Sequence, residues 1–188
     1  FANSFAEVSS LVEVAHLASS EISVDPMENA IHKFYDAGSA HSTGVYTLVR
    51  EYPFNHEMLI MTRVLENQAT HEVLISTKGA PEAIFKLCGM DDHELQKQLD
   101  LVQVMAEKGY RVIGIASASA DASQLPEDQR NFEFTFKGLL GFEDPIRPEV
   151  KQAAKECHDA GIKVIVISGD YPATARHLGM HAGVAEDG

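Results

Sequence analysis

Val73-Leu74-Ile75-Ser76-Thr77-Lys78-Gly79-Ala80-Pro81 is the stretch on which the fold turns. It opens rich in aliphatic and β-branched side chains, which suit a half-buried strand, and Gly79-Ala80-Pro81 closes it. Pro81 fits the first position of a helix, because its φ is already helical and its missing N–H would have had no partner there. The segment therefore reads as a strand, a tight turn and a short helix over 82–88. Upstream, Val45 to Tyr52 and Leu59 to Leu65 are also β-rich, and Pro53-Phe54-Asn55-His56 joins them as a turn. Downstream, Tyr110 to Ala116 reads as a strand. Phe132, Phe134 and Phe136 alternate with polar residues at the start of another strand that reaches Phe142. Strands in succession with helices before and between them predict an α+β domain over residues 1–140, an antiparallel sheet with flanking helices.

The helices have their own signals. Phe5, Val8, Val12 and Ala15 recur at helical spacing, which predicts a helix over about 4–20. Asp25-Pro26-Met27-Glu28 announces a second, ending near Gly38: Asp caps, Pro takes the first position and Glu reaches back to the cap. Leu95, Leu99, Val102 and Met105 share one face of a helix over 91–108, stopped by Gly109. Residues 117–131 read as an exposed loop. The pattern changes at residues 141–188. After Pro145 and Pro148 come a helix over 149–160 ending at Gly161, an apolar strand Lys163–Ser168, and a helix over 173–182. Helix, strand and helix with tight connections predict part of a doubly wound α/β sheet. Partner strands for 163–168 are expected from outside the chain or from the strand ending at Phe142.

The 188 residues suffice for one large or two small domains, and the formal net charge of −13 argues against nucleic acid as a partner. Cys88 and Cys157 lie far apart without a metal or redox spacing, and read as buried thiols of a reducing compartment. No apolar stretch has the roughly 20 residues of a membrane span. Phe1, not Met, begins the sequence, which reads as a piece of a longer protein.

Two places could carry chemistry. Lys78 stands at a strand end beside Gly79, where a ligand can approach the backbone, and the helix behind it presents free amides that favour anions. Ser168-Gly169-Asp170 puts a hydroxyl, a flexible Gly and a carboxylate at the end of an apolar run, a good seat for a phosphate. Lys78 reads equally well as a solvated lysine at a turn, and simpler readings exist for the others. Glu28 is explained by the capping box, Phe54 by a core plug, Arg111 by the solvent face of its strand, and His177 with His181 by an exposed helix face.

Lys78-Gly79-Ala80-Pro81-Glu82 resembles the nucleotide-binding signature of P-type cation-transporting ATPases. Asp144-Pro145-Ile146-Arg147-Pro148-Glu149-Val150, Cys157 to Ile162, and Ile167-Ser168-Gly169-Asp170 with Thr174-Ala175 resemble the entry into that family's haloacid-dehalogenase-like phosphorylation domain, most like calcium-pump members. The resemblance implies a nucleotide-binding domain over 1–140 and part of the phosphorylation domain over 141–188. It implies that Phe54 stacks on adenine, that Met61, Lys78, Gly79 and Ala80 line the same pocket, and that Glu28 lies near the adenine amino group. Arg111 would reach the phosphates, Asp144 and Arg147 form a hinge pair, and Ser168, Gly169 and Asp170 meet the γ-phosphate.

ATP, Mg²⁺ in the whole protein, and the pump's transmembrane, actuator and remaining phosphorylation segments are the implied partners, in the cytoplasmic part of an integral membrane protein. Two departures stand out. Met58 and Leu59 replace a usual Arg-Lys pair, and the sequence holds neither Asp-Lys-Thr-Gly-Thr, with its phosphorylated Asp, nor a Gly-Asp-Gly-Xaa-Asn-Asp metal loop. No catalytic residue is expected within these residues, and the chain alone is expected to be inactive. The alternatives are a soluble haloacid-dehalogenase-like phosphatase and a stand-alone nucleotide-binding module. Position 146 is Ile, where such a phosphatase needs a second Asp after Asp144.

Overall fold

The computed structural model describes residues 5–38, 44–54, 56–121, 124–143 and 145–184. In chain order it contains α1 (Phe5–Leu17), α2 (Pro26–Ala37), β1 (Tyr46–Tyr52), β2 (Ile60–Asn67), β3 (Val73–Gly79), α3 (Pro81–Leu87) and α4 (Asp92–Glu107). There follow β4 (Arg111–Ser119), a single 3₁₀ turn at Gln129–Asn131, β5 (Thr135–Phe142), α5 (Pro148–Asp159) and α6 (Pro172–His181). The strands form one sheet in the order β1-β2-β3-β4-β5. The ladders from β1 to β4 are antiparallel. The predicted α+β architecture with flanking helices is what the chain adopts.

Register explains how a strand can be buried on both sides. Val64 pairs with Ile75 and Thr62 with Thr77, while their neighbours Arg63 and Met61 pair with Ser76 and Lys78. Because successive side chains point to opposite faces, these are two separate layers. The first layer continues into Ala116 and Ala118 of β4 and packs with Ile84 of α3 and with Phe132 and Phe134. Phe132 and Phe134 precede β5 rather than open it, and both are buried. Thr62 and Thr77 lie in this layer without cost, since the Thr62 hydroxyl donates to Thr77 Oγ1 at 2.8 Å and Thr77 donates to the Met61 carbonyl at 3.0 Å. The second layer faces α1, which packs on α2 and β3 and buries Leu11, Val12, Val14, Ala15, Leu17 and Ala18.

The turn at Gly79 is set by close backbone approach. The Ala80 N–H donates to the Leu59 carbonyl at 3.0 Å, and Leu59 reaches that position with φ of 56°. A Cβ on Gly79 would run into that carbonyl oxygen and into Ile60, so only glycine fits. Pro81 then opens α3 as predicted. The expected exposed loop over 117–131 is shorter than its composition suggests. β4 extends to Ser119, and the Tyr52 hydroxyl donates to the Pro126 carbonyl and ties the connection down.

The chain divides into two compact units, Phe1–Leu95 with Ile113–Leu140, and Gln96–Val112 with Gly141–Gly188. In the second unit one expectation fails. Residues 162–168 form no strand, and Ile162, Val164, Ile165, Val166 and Ile167 are exposed, Ile167 at 93%. A parallel strand exists only by hydrogen-bonding to neighbours, and none of the described strands pairs with this run. Its flanking helices form as read, α5 from Pro148 and α6 from Pro172. No described helix is long and apolar enough to cross a membrane.

Phe85 is fully buried in α3 and meets Phe136 edge to face at 5.5 Å. Phe85→Ala is expected to destabilise the chain by about 3–5 kcal/mol. Truncating Phe34, which is exposed, should change stability by less than about 0.5 kcal/mol in the same urea titrations.

Candidate functional site

The first unit gathers a charged cluster at the end of β3. Lys78 lies opposite Met61 in the β2–β3 ladder, on the face turned toward α1 and α2. Its ammonium donates to Glu28 Oε1 and, at 2.9 Å, to the Ser19 hydroxyl. The two side chains of this ion pair are only 12% and 10% exposed. Glu28 reaches Lys78 because α2 starts one turn earlier. Asp25 caps it by accepting from the Met27 N–H at 2.8 Å, and Pro26 takes the first helical position. The Glu28 carboxylate therefore serves a tertiary ion pair and not the expected reach back to the cap, since the Asp25 N–H donates to the Ser23 hydroxyl at 3.0 Å. The Ser20 N–H also points at Glu28 Oε1, at 3.4 Å.

The electrostatics follow from burial. Burial pushes the Lys78 ammonium below the usual lysine range, even though Glu28 favours the charged form. Burial pushes Glu28 the other way, but hydrogen bonds from Lys78, Ser23 and the Ser20 backbone, with the Lys78 charge, outweigh it and hold the carboxyl below its ordinary value. A second cation stands beside them. Arg63 is 5% exposed, donates to the carbonyls of Ser19 and Leu17 at the end of α1, and lies 3.4 Å from Glu51. It answers the carbonyls that the last helical turn leaves without partners.

Phe54 follows β1 by two residues and is 53% exposed, its ring edge-on to His56 at 5.8 Å. Tyr52 pairs with Thr62 and Ile60 with Gly79, so Phe54, Met61, Lys78, Gly79 and Ala80 lie at one end of β1, β2 and β3. An exposed phenyl ring is not the core plug that the sequence alone suggests for Phe54. Met58, one of the two positions where a base is absent, is half-buried against the core, and its sulfur accepts from Gln129 at 3.8 Å. Leu59 is 42% exposed.

The second unit holds its own small cluster. The Ser168 hydroxyl donates to Asp170 Oδ2 at 3.0 Å and accepts from the Asp170 N–H at 3.1 Å, closing the loop on itself. Arg111 Nε stands 3.5 Å from Asp170 Oδ1, so the structure joins two residues that are far apart in sequence. Thr174 in α6 donates to the Tyr110 carbonyl at 3.1 Å, which ties α6 to the start of β4. Arg147 is exposed at the N-cap of α5. Asp144 lies outside the described residues.

Sequence reasoning missed Ser19, Arg63 and the histidine pair His16 and His32, whose Nδ1 atoms lie 2.8 Å apart. A basic residue inside the β-rich run Ile60 to Leu65 was a signal, because alternation there leaves Arg63 on one face with Met61 and Leu65. The histidine pair, sixteen residues apart, left no local signal. Cys88 is free, and burial pushes its thiol up to about 11, which makes it inert at neutral pH. His177 and His181 stack at 4.1 Å on α6, and among the described residues no three His, Cys, Asp or Glu side chains converge as a metal seat.

Comparison with known proteins follows this geometry. The family described as "P-type ATPase, cytoplasmic domain N" matches residues 3–149. The sodium/potassium exporting P-type ATPase of Schizosaccharomyces pombe is 32% identical over 173 residues, covering 85% of this chain and 17% of that protein. The calcium-transporting ATPase of Bacillus subtilis is 32% identical over 168 residues, 82% of this chain and 19% of the relative. The alpha-A subunit of the sodium/potassium-transporting ATPase of Artemia franciscana is 28% identical over 200 residues, 94% of this chain and 20% of the relative. The chain thus spans about a fifth of the length of these relatives.

The ion pair predicts an acid dependence of stability. Glu28 is depressed in the fold, so its contribution is complete above the unfolded value of 4.5 and is lost as pH falls through the folded value. Thermal melts between pH 6 and 3 should show this decline, and Glu28→Gln should flatten it while lowering the melting temperature at pH 6.

Proposed function

The chain belongs to the P-type cation-transporting ATPases, and from that premise we propose that residues 1–140 are the nucleotide-binding domain of such a pump and 141–188 the start of its phosphorylation domain. The buried Lys78 ammonium carries this reading. It is held by Glu28 at a strand end where Met61 lies opposite and the Phe54 ring is exposed. Adenine offers Phe54 a π-face, and a buried cation attracts the negative charge of a nucleotide more strongly than an exposed one. Gly79 keeps the wall beside Lys78 down to bare backbone.

In the second unit, Arg111 supplies a guanidinium for phosphate oxygens, and the Ser168 hydroxyl with the loop amides supplies donors. The Ser168–Asp170 loop is already folded on itself, which limits the ordering needed when a phosphate arrives. The aliphatic composition of Ile162 to Ile167, which forms no strand in this chain, is what supports the haloacid-dehalogenase-like reading of 141–188. Its aliphatic side chains suit the interior of a parallel sheet, and the strands that would flank it belong to other segments of the pump.

In the whole pump, bound ATP would transfer its γ-phosphoryl group to an aspartate in a motif that this sequence does not contain. The bond from the γ-phosphorus to the bridging oxygen breaks, the carboxylate oxygen bonds to phosphorus, and ADP leaves. This chain's residues contribute position and charge, the main sources of catalysis in phosphoryl transfer. Mg²⁺ neutralises phosphate charge when bound, but the described residues offer no set of ligands for it. The chain would lie on the cytoplasmic side of a membrane-embedded pump, where its relatives transport cations. The calcium-pump likeness is a further part of the proposal.

Titration of the chain with ATP should give saturable binding, weakened about tenfold or more by Phe54→Ala and by Lys78→Ala. The chain alone should form no covalent phosphoenzyme. Binding unchanged by both substitutions would remove Phe54 and Lys78 from the pocket, and steady turnover through a phosphoenzyme would overturn the reading.

A further inference from the structure

The connection between α1 and α2 touches both members of the Lys78–Glu28 pair. Ser19, fully buried, donates its hydroxyl to the Ala15 carbonyl at 2.8 Å and receives the Lys78 ammonium at 2.9 Å. The next residue, Ser20, offers its N–H to Glu28. Its carbonyl receives His32 Nε2 at 2.8 Å. His32 in turn meets His16, nitrogen to nitrogen, at 2.8 Å. His16 is held from behind by Tyr35, whose ring stacks on it at 4.0 Å and 13°. A chain of contacts therefore runs from a histidine pair, through one serine backbone, to the ion pair.

Its protons can be placed by elimination. A carbonyl only accepts, so His32 Nε2 carries hydrogen toward Ser20. In neutral His32 the Nδ1 lone pair is then free, and His16 must donate through its own Nδ1. One added proton can be accommodated, because His32 becomes the donor and His16 moves its hydrogen to Nε2. Two added protons cannot, since two N–H groups would face each other across 2.8 Å. The charged groups around His16 are Asp36 on α2, Glu21 on the connection and Arg63 on β2, with His32 itself. Burial, helped by His32 and Arg63, holds His16 below the usual histidine range against Asp36 and Glu21.

We propose that the His16–His32 pair and Ser19-Ser20 form a bracket that positions Glu28 and Lys78 for nucleotide, so that affinity falls when the pair is driven to hold two protons. These four are positioning residues, and none is assigned contact with the ligand. The inference rests on the nucleotide reading for its effect on affinity, but not for the bracket itself. Glu28 remains ionised near pH 5, because its carboxyl is held below its ordinary value, so the loss is not its own neutralisation.

The test uses the full chain and two readouts. Without nucleotide, the Lys78 side-chain NMR resonances should move between pH 7.5 and 5, and His32→Gln should abolish that movement. With ATP, the weakening of affinity from pH 7.5 to 5 should be at least threefold greater in the unaltered chain than in His32→Gln; the nucleotide's own titration is common to both and cancels. Ser19→Ala should weaken ATP binding about fivefold at pH 7.5, with Ser19→Thr restoring it. Lys78 resonances indifferent to the histidines overturn the bracket. So does an equal pH ratio in the two proteins where ATP binds. Resonances that track the histidines in a chain that binds no ATP uphold the bracket and remove the nucleotide reading instead.

Discussion

Burying a lysine is the constraint around which this chain is built. An ammonium taken out of water loses hydration worth several kcal/mol, and the loss is tolerable only where fixed partners replace it. Here the replacement comes from two directions, a carboxylate on α2 and a hydroxyl at the end of α1. Neither helix could be shifted by a residue without leaving Lys78 unanswered. Arg63 adds a second buried cation one strand over, which binds the carbonyl end of α1. The two cations turn the packing of α1 and α2 on the sheet into a registered fit, where apolar contact alone would allow sliding.

The same constraint connects fold to chemistry. A lysine that is partly dehydrated and held in place is already prepared for an anion, because little water must be removed when the ligand enters. Its counterion, Glu28, keeps the pocket from being merely positive. An anion and a cation fixed at the end of a sheet, with an exposed aromatic ring nearby, are what the nucleotide proposal rests on.

Much of this was legible along the chain, and the limits of legibility were physical. Strands β1, β2 and β3 announced themselves by aliphatic runs between turn residues, and the passage from Lys78 through Pro81 fixed the turn and the start of α3. Glu28 read locally as the partner of its own helix cap, and it faces Lys78 instead, since nothing local says that α2 will lie against β3. Ser19 and the histidine pair were hidden for the same reason. The run Lys163 to Ser168 misled in a different way. Its composition encodes a preference for a sheet interior, but composition cannot provide the neighbouring backbone that makes a strand. The chain itself leaves those side chains in water. Arg111 was read as a solvent-facing residue of its strand, which it is, and its ion pair with Asp170 came only with the fold.

The close approach at Gly79 has a consequence for how such a pocket can change over time. Its wall there is main chain, fixed by the Leu59 carbonyl and the Ala80 amide, and no side chain of any chemistry fits in place of hydrogen. Substitution at this end of the sheet is therefore left to the neighbouring side chains, Phe54, Met58, Leu59 and Met61. The glycine acts as a fixed reference point against which those substitutions are tried.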